Sequence, residues 1–139
     1  MADNDRAQVL RRALEACVRG EVDPLPQLFT HDVRGWSPNM LVASLDELTE
    51  TVADREDALT EVDVEINSLD VFANKGFVEY RVRAVFSGPF VIDENVAIDP
   101  NGHTLVLGAA MVVEFTDGKI SSFRNYFDEA ALLEQMLVA

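Results

Sequence analysis

Polar side chains alternate with apolar ones near the end of the chain, in a segment from Lys119 to Asp128 that reads as a β-strand. Because side chains alternate along a strand, Arg124, Tyr126 and Asp128 share one face. If this face points inward, the three groups must be paired or functional, since burying an unpaired polar group costs free energy. If it points outward, they are ordinary surface residues. We expect this strand to line a pocket for a small, mostly apolar molecule.

Other residues that could do chemistry are few and scattered. His31 and His103 lie far apart, and neither has the spacing of a metal site. We expect His31 to end a helix, and we consider His103, which follows a turn, as a candidate pocket residue. The single cysteine, Cys17, lies in an apolar helical repeat and is interpreted as a buried structural thiol. Trp36 is either a plug in the core or part of the pocket wall.

Helices dominate the first part of the predicted fold. Apolar residues recur at helical spacing from Arg6 to Arg19, with Asp5 as the predicted cap. Asp23-Pro24 predicts the start of a short helix. Residues 30–43 are predicted to be irregular, and Ser44-Leu45-Asp46-Glu47 is a capping-box pattern that starts another helix.

Strands dominate the rest of the chain. Alternation predicts a half-buried edge strand over 62–66 and a strand over 76–87, and residues 103–115 form a nearly all-apolar strand. Asp117-Gly118 is a strong hairpin signal, whereas 93–102 is predicted to be a loop. Helices followed by antiparallel strands indicate an α+β fold, in which helices close one side of a curved sheet and leave a cone-shaped cavity. The whole chain is predicted to form one domain.

The closing segment resembles the final hairpin of the nuclear transport factor 2-like superfamily. The motif is an acidic residue followed by Gly-Lys-Ile and then by Arg-x-Tyr-Phe-Asp, from Asp117 to Asp128. The similarity also includes a leading helix, Leu28 to Val33, Val78 to Phe86, and Pro100-Asn101-Gly102. It looks closest to SnoaL-like polyketide cyclases and limonene-epoxide-hydrolase-like proteins. This resemblance implies a cystatin-like cone, a curved antiparallel sheet packed on N-terminal helices, and a homodimer formed by sheet-face packing.

The resemblance also implies a role for Asp128. In both enzyme families the aspartate that ends this strand lies in the pocket and takes part in acid–base chemistry. The charged form of a carboxyl group is disfavoured in an apolar cavity, so such a group can exchange a proton near neutral pH. The alternative, which is compatible with this role, is that Asp128 caps the last helix. The residues predicted to contact the ligand are Trp36, Arg81, Arg83, His103, Arg124 and Tyr126.

The sequence departs from the epoxide-hydrolase pattern on an earlier strand. In that pattern an arginine and an aspartate lie two residues apart, and the aspartate helps to activate the attacking water. Arg81 matches the arginine, but Arg83 occupies the place of the aspartate, and a cation cannot serve as the base. Epoxide hydrolysis is therefore disfavoured. The alternative interpretation of Glu79, Arg81 and Arg83 is a ladder of cross-strand ion pairs on an exposed face.

Charge limits the partners of this chain. The 139 residues include 11 basic and 25 acidic ones, for a formal net charge of −14, which disfavours binding to nucleic acids and anionic membrane surfaces. Nine acidic residues and one basic residue, Arg55, lie between Asp46 and Glu65. We interpret this stretch as a solvated face, with a metal-binding patch as the alternative. The start, Met1 to Asp5, is polar, and no apolar run approaches the length of a membrane span, so a cytoplasmic protein is expected.

Two hypotheses follow. The first is a SnoaL-like cyclase or isomerase that needs no cofactor and uses Asp128 as general acid–base on an apolar carbonyl compound. The second is a non-catalytic ligand-binding or dimerisation module of the same fold, whose cone holds a ligand or is filled by side chains. A cavity of roughly 300 Å³ or more, lined by Asp128 and another polar group, would favour the enzyme.

Overall fold

The computed structural model describes residues 3–139, with only the backbone described at Asp3. Met1 and Ala2, part of the polar N-terminal segment, lie outside the described residues. The helices are α1 (Asp3–Arg19), α2 (Leu25–Leu28), α3 (Leu45–Asp54) and α4 (Glu129–Leu137). The strands are β1 (Phe29–Ser37), β2 (Met40–Val42), β3 (Leu59–Phe72), β4 (Lys75–Phe86), β5 (Phe90–Asp93), β6 (Val96–Ile98), β7 (Thr104–Thr116) and β8 (Lys119–Phe127).

Six strands form one sheet in the order β2-β1-β8-β7-β4-β3, and β5 and β6 form a separate hairpin. Neighbouring strands of the large sheet are antiparallel, except for β1 and β8, which run parallel. The mixed α+β architecture predicted from the sequence is confirmed. In the described part of the chain, no helix is long and apolar enough to cross a membrane.

Two segments differ from their predictions. Residues 30–43, predicted to be irregular, contain most of β1 and all of β2. Here β1 pairs with β8, a strand more than eighty residues later. The strand conformation of this segment therefore depends on a distant partner and not on a local sequence pattern. Residues 93–102, predicted to be a loop, contain β6 of the small hairpin. His31, expected to end a helix, lies exposed on β1.

The helix starts agree with the sequence in part. The predicted capping box holds the start of α3, because the Ser44 hydroxyl accepts a hydrogen bond from the Glu47 N–H at 3.1 Å. The Glu47 carboxylate in turn accepts from the Ala43 N–H at 2.8 Å. Asp5, predicted to cap the first helix, lies inside α1. Pro24 precedes α2 without a side-chain cap.

The two faces of the sheet differ in composition. The inner face packs against the helices, and on β4 its residues Val78, Tyr80 and Ala84 are buried. The outer face is exposed and on β4 carries the charged residues between them. Two apolar clusters cover the inner face. The larger one includes Leu10, Leu14, Leu25, Leu28, Leu48, Val113 and Ile120, and the smaller one consists of Ala58, Phe86, Phe90, Leu105, Leu132 and Met136.

Candidate ligand-binding cavity

A cavity of about 210 Å³ lies between the inner face of the sheet and the helices. It is smaller than the roughly 300 Å³ expected for a typical ligand pocket. An engineered apolar cavity of about 150 Å³ in another protein holds benzene, so this volume suits a ligand of about one ring. Most of the wall is apolar, including Leu14, Phe29, Met40, Val52, Val82, Leu107, Met111 and Leu132.

The last strand presents to this cavity the face opposite to the one predicted. Phe123, Asn125 and Phe127 line the wall, whereas Arg124 and Tyr126 are exposed on the outer face. The neighbouring strand β7 sends apolar side chains inward, so burial of the phenylalanine face removes more apolar surface from water. Burial of the arginine face would require partners for its polar groups. Arg124 and Tyr126 therefore lie outside the cavity in which they were predicted to contact a ligand.

Asp128 does not line the cavity. Its side chain is exposed, and its carboxylate accepts a hydrogen bond from the Ala131 N–H at 3.1 Å, which caps α4. The capping role left open by the sequence is thus confirmed. The structure corrects the expected location of this carboxylate, because the alternation that sends Phe127 inward leaves Asp128 at the surface.

Trp36 and His103 also lie outside the cavity. Trp36 is neither a core plug nor a pocket wall, because it is 40% exposed on the outer face. Its ring packs against Tyr126 with 5.3 Å between the ring centroids. His103 is exposed just before β7. Neither residue therefore lines the cavity in which it was predicted to contact a ligand.

The arginines of β4 lie on the exposed outer face rather than in the pocket. A strand that sends Tyr80 into the cavity must send Arg81 and Arg83 outward. Arg81 forms an ion pair with Glu65 on β3 at 3.2 Å, and Arg83 lies opposite Asp63 in the register. The cross-strand ion-pair interpretation is therefore confirmed for Arg81, and neither arginine lines the cavity in which it was predicted to contact a ligand.

One hydrogen-bonded pair interrupts the apolar wall. The Tyr80 hydroxyl on β4 donates to Oδ1 of Asn125 on β8 at 2.7 Å, across the intervening strand β7. Burial raises the pKa of Tyr80 to about 12. The hydroxyl is therefore protonated at neutral pH, and its oxygen can accept another hydrogen bond. Nδ2 of Asn125 has no acceptor among the described residues, so the pair offers a ligand the N–H groups of this amide as donors and the hydroxyl oxygen as an acceptor.

A second polar group on the wall joins the β1–β2 turn to the end of α3. The Ser37 hydroxyl donates to Oδ1 of Asn39 at 2.9 Å. The Arg55 guanidinium donates to the backbone carbonyl of Asn39 at 3.2 Å and lies over the Phe90 ring, 4.9 Å from its centroid. Burial lowers the pKa of Arg55, yet a guanidinium remains a cation in proteins.

Among the described residues, none that lines the cavity carries a carboxylate or an imidazole. Its titratable side chains are Cys17, Arg55 and Tyr80. Burial raises the pKa of Cys17 to about 12, so neither this thiol nor the tyrosine is a base at neutral pH. No cluster of three or more histidine, cysteine, aspartate or glutamate residues suited to a metal ion occurs in the described range. The cavity can bind and orient a molecule, but its own wall supplies no general base.

The raised pKa of Cys17 leads to a prediction about its reactivity. At pH 8, iodoacetamide is expected to alkylate the native protein at least about a hundredfold more slowly than the urea-unfolded chain, because each unit of pKa removes about nine tenths of the remaining thiolate. The readout is unambiguous because the chain has one cysteine. Mass spectrometry of timed samples measures the rate. Equal rates in the two states would contradict a buried thiol.

Sequence patterns contained signals for the wall residues that were missed. Asn125 is the one polar residue between Phe123 and Phe127 on an otherwise aromatic face. Arg55 is the single basic residue in a strongly acidic stretch. Each is an exception within a uniform pattern, and such exceptions favour a specific contact.

Comparison with known protein families identifies the family of this chain. The family model of the SnoaL-like domain matches residues 10–123. The chain belongs to the SnoaL-like family. This result confirms the relation predicted from the closing hairpin. None of the curated proteins matches the sequence significantly.

Solved structures confirm the fold of this SnoaL-like protein. A protein from Jannaschia sp. CCS1, proposed to be a SnoaL-like polyketide cyclase, superposes with a TM-score of 0.85 at 15% identity, over 99% of this chain and 94% of that one. TsrD from Streptomyces laurentii gives 0.82 at 14% identity, over 100% and 99%. An epoxide hydrolase from M. tuberculosis, described as LEH-like, gives 0.72 at 12% identity, over 97% and 91%. Identities this low show the shared nuclear transport factor 2-like fold alone.

Proposed function

We propose that this SnoaL-like protein binds a small, mostly apolar molecule of about one ring and hydrogen-bonds its carbonyl or hydroxyl group through Tyr80 and Asn125. The supporting observation is a hydrogen-bonded pair of polar side chains on a wall that is mostly apolar. Burial of the ligand's apolar surface supplies affinity. The pair fixes its orientation, because a carbonyl or hydroxyl group placed against the apolar residues of that wall would lose its hydrogen bonds.

The binding proposal is tested with acetophenone, a one-ring ketone, by NMR titration of the labelled protein. Leu107 lines the cavity, whereas its neighbour Val106 lies on the outer face of the same strand. Leu107→Trp should fill the cavity and abolish saturable shifts, and Val106→Trp should leave them unchanged. Circular dichroism confirms that both variants fold. Absence of saturable binding to the wild type, or equal effects of both variants, would contradict the proposal.

A cyclase or isomerase reaction is a second candidate, favoured by membership of the SnoaL-like family and by the proposed name of the Jannaschia protein. Tyr80 and Asn125 would stabilise negative charge on a carbonyl oxygen as a neighbouring proton leaves. A single carboxylate, Asp128, would then act as general acid–base on an apolar carbonyl compound. Because this residue caps α4, it would have to leave the cap to reach the ligand.

Two substitutions at Asp128 separate capping from chemistry. Asp128→Asn keeps a good N-cap, so its unfolding free energy should stay close to that of the wild type, whereas Asp128→Ala should lose about 1 kcal/mol. Both should bind acetophenone like the wild type. If the carboxylate transfers a proton, Asp128→Asn should abolish turnover of a carbonyl substrate. Unchanged turnover in that variant would remove Asp128 from the mechanism, and urea denaturation measures the two stabilities.

We also propose that the protein forms a homodimer through the outer face of the sheet. Five basic residues lie there, namely Arg34, Lys75, Arg81, Arg83 and Arg124, and they interleave with acidic ones. The exposed apolar residues Trp36, Phe77, Val106 and Tyr126 share this face. A face of mixed charge on a chain of net charge −14 is a surface where two copies can meet without strong repulsion.

Size-exclusion chromatography with light scattering should give the mass of two chains for the wild type. The variant Phe77→Asp should give the mass of one chain. A monomeric wild type would contradict this proposal.

A further inference from the structure

We infer that the ligand carries a carboxylate, and that Arg55 binds it at the cavity wall. This inference rests on the proposed function and adds the class of ligand, an organic acid with an apolar body of about one ring. The starting observation is a cation among the residues that line an apolar cavity.

The cation lacks a direct counter-ion in the described structure. No carboxylate of the described residues lies within 4.0 Å of the Arg55 guanidinium. Its hydrogen-bond partners are neutral oxygens of Asn39, at 3.2 Å for the backbone carbonyl and at a long 3.5 Å for the side-chain amide. Asp54 and Glu129 act on it only through space. Partly buried charges are usually paired, so an anion is the missing partner.

The guanidinium is also held in a fixed orientation. The hydrogen bond to Asn39 and the contact with the Phe90 ring both restrain it. The group has five N–H donors in a planar fork, and two of them are used by Asn39. A carboxylate matches the geometry of the remaining donors better than a single carbonyl oxygen does.

The negative net charge of the chain limits which anions Arg55 can bind. A protein of net charge −14 repels anions at long range. The region around α3 and the start of β3 is especially acidic, with Arg55 as its one basic residue between Asp46 and Glu65. An anion is therefore retained only where the direct contact with Arg55 outweighs that repulsion, and the apolar wall requires the rest of the ligand to be apolar.

The test uses two probes of nearly equal size, 3-phenylpropanoate and 3-phenylpropanamide, titrated by calorimetry at pH 7. The acid should bind the wild type at least about tenfold more tightly than the amide, as expected for a charge-assisted contact. Arg55→Met should remove this preference by weakening acid binding about tenfold or more, while amide binding changes less than about threefold. Arg55→Lys, which keeps the charge without the fork, should retain part of the preference.

The control is Arg81→Met, which removes one positive charge from the outer face, where Arg81 pairs with Glu65. It should leave both affinities unchanged, which separates direct contact from overall charge. Circular dichroism establishes that each variant is folded. Equal binding of acid and amide to the wild type, with acetophenone also bound, would overturn the inference and leave the proposed function standing. Failure of all three probes to bind would overturn both.

Discussion

Gly35→Ala is expected to lower the free energy of unfolding by about 3 kcal/mol or more. A Cβ atom at this position would lie 2.1 Å from Cζ of Phe123 and 2.3 and 2.6 Å from two neighbouring ring atoms. The ring is 6% exposed and packs edge-on against Phe29, with 5.8 Å between the centroids. It therefore cannot move away on the side of β1. Urea denaturation followed by far-UV circular dichroism measures the change.

Gly108→Ala is the matched control for this substitution. A Cβ atom at Gly108, on the outer face of β7, would meet no atom within 4 Å. This variant should be as stable as the wild type or more stable by up to about 1 kcal/mol, because alanine reduces the entropy of the unfolded chain. If Gly35→Ala folds at all, Phe123 must swing into the cavity that it lines, and acetophenone binding should fall. Equal stabilities of the two variants would show that the Gly35 contact with the ring is not tight.

The sequence predicted the fold well because its signals are local or carried by motifs. Alternation correctly predicted the strand β4, and the capping box correctly predicted the start of α3. The strand β1 was missed because its order comes from parallel pairing with β8, a contact between segments that are distant in sequence. Local patterns do not contain that information.

The site residues on β8 were predicted less well than the fold, because the wrong face of this strand was taken as the buried one. Alternation shows which residues of β8 share a face, but it does not show which face is inside. The choice depends on the apolar inner surface of β7 beside it and on the aromatic contact between Phe123 and Phe29. Once that face is inside, Asn125 enters the cavity and Asp128 remains at the surface. The Tyr80–Asn125 bond spans a third strand, so no pattern within either strand could reveal it.

The second large effect concerns that bond and is best measured by a double-mutant cycle. Tyr80→Phe removes the donor and leaves Oδ1 of Asn125 without a partner, at a cost of about 1 to 2 kcal/mol in unfolding free energy. Asn125→Leu removes the acceptor with a similar cost. The double variant should cost about as much as one single variant, because neither orphaned group remains, which gives a coupling energy of about 1 kcal/mol or more.

Ligand binding extends the same cycle. All three variants should bind acetophenone about tenfold more weakly than the wild type, whereas ethylbenzene, which lacks the carbonyl oxygen, should bind them with little change. Tyr126→Phe is the control, because the chain has two tyrosines and Tyr126 is exposed on the outer face. Additive stability losses, or equal losses for both probes, would contradict the assigned hydrogen bond.

The raised pKa of Tyr80 allows a further test, because a ring that only fills space would not make stability depend on pH. Burial raises this pKa from 10.0 to about 12, so the folded state holds its proton where the unfolded chain loses it. The stabilising contribution is complete below about pH 10 and is lost as the pH rises from about 10 to about 12, at up to about 1.4 kcal/mol per pH unit. Tyr80→Phe should remove this part of the alkaline loss, and Tyr126→Phe should not. Urea denaturation of the three proteins at pH 9.5 and 11 measures the difference, and identical alkaline losses in the wild type and Tyr80→Phe would show that the hydroxyl is not buried in the cavity.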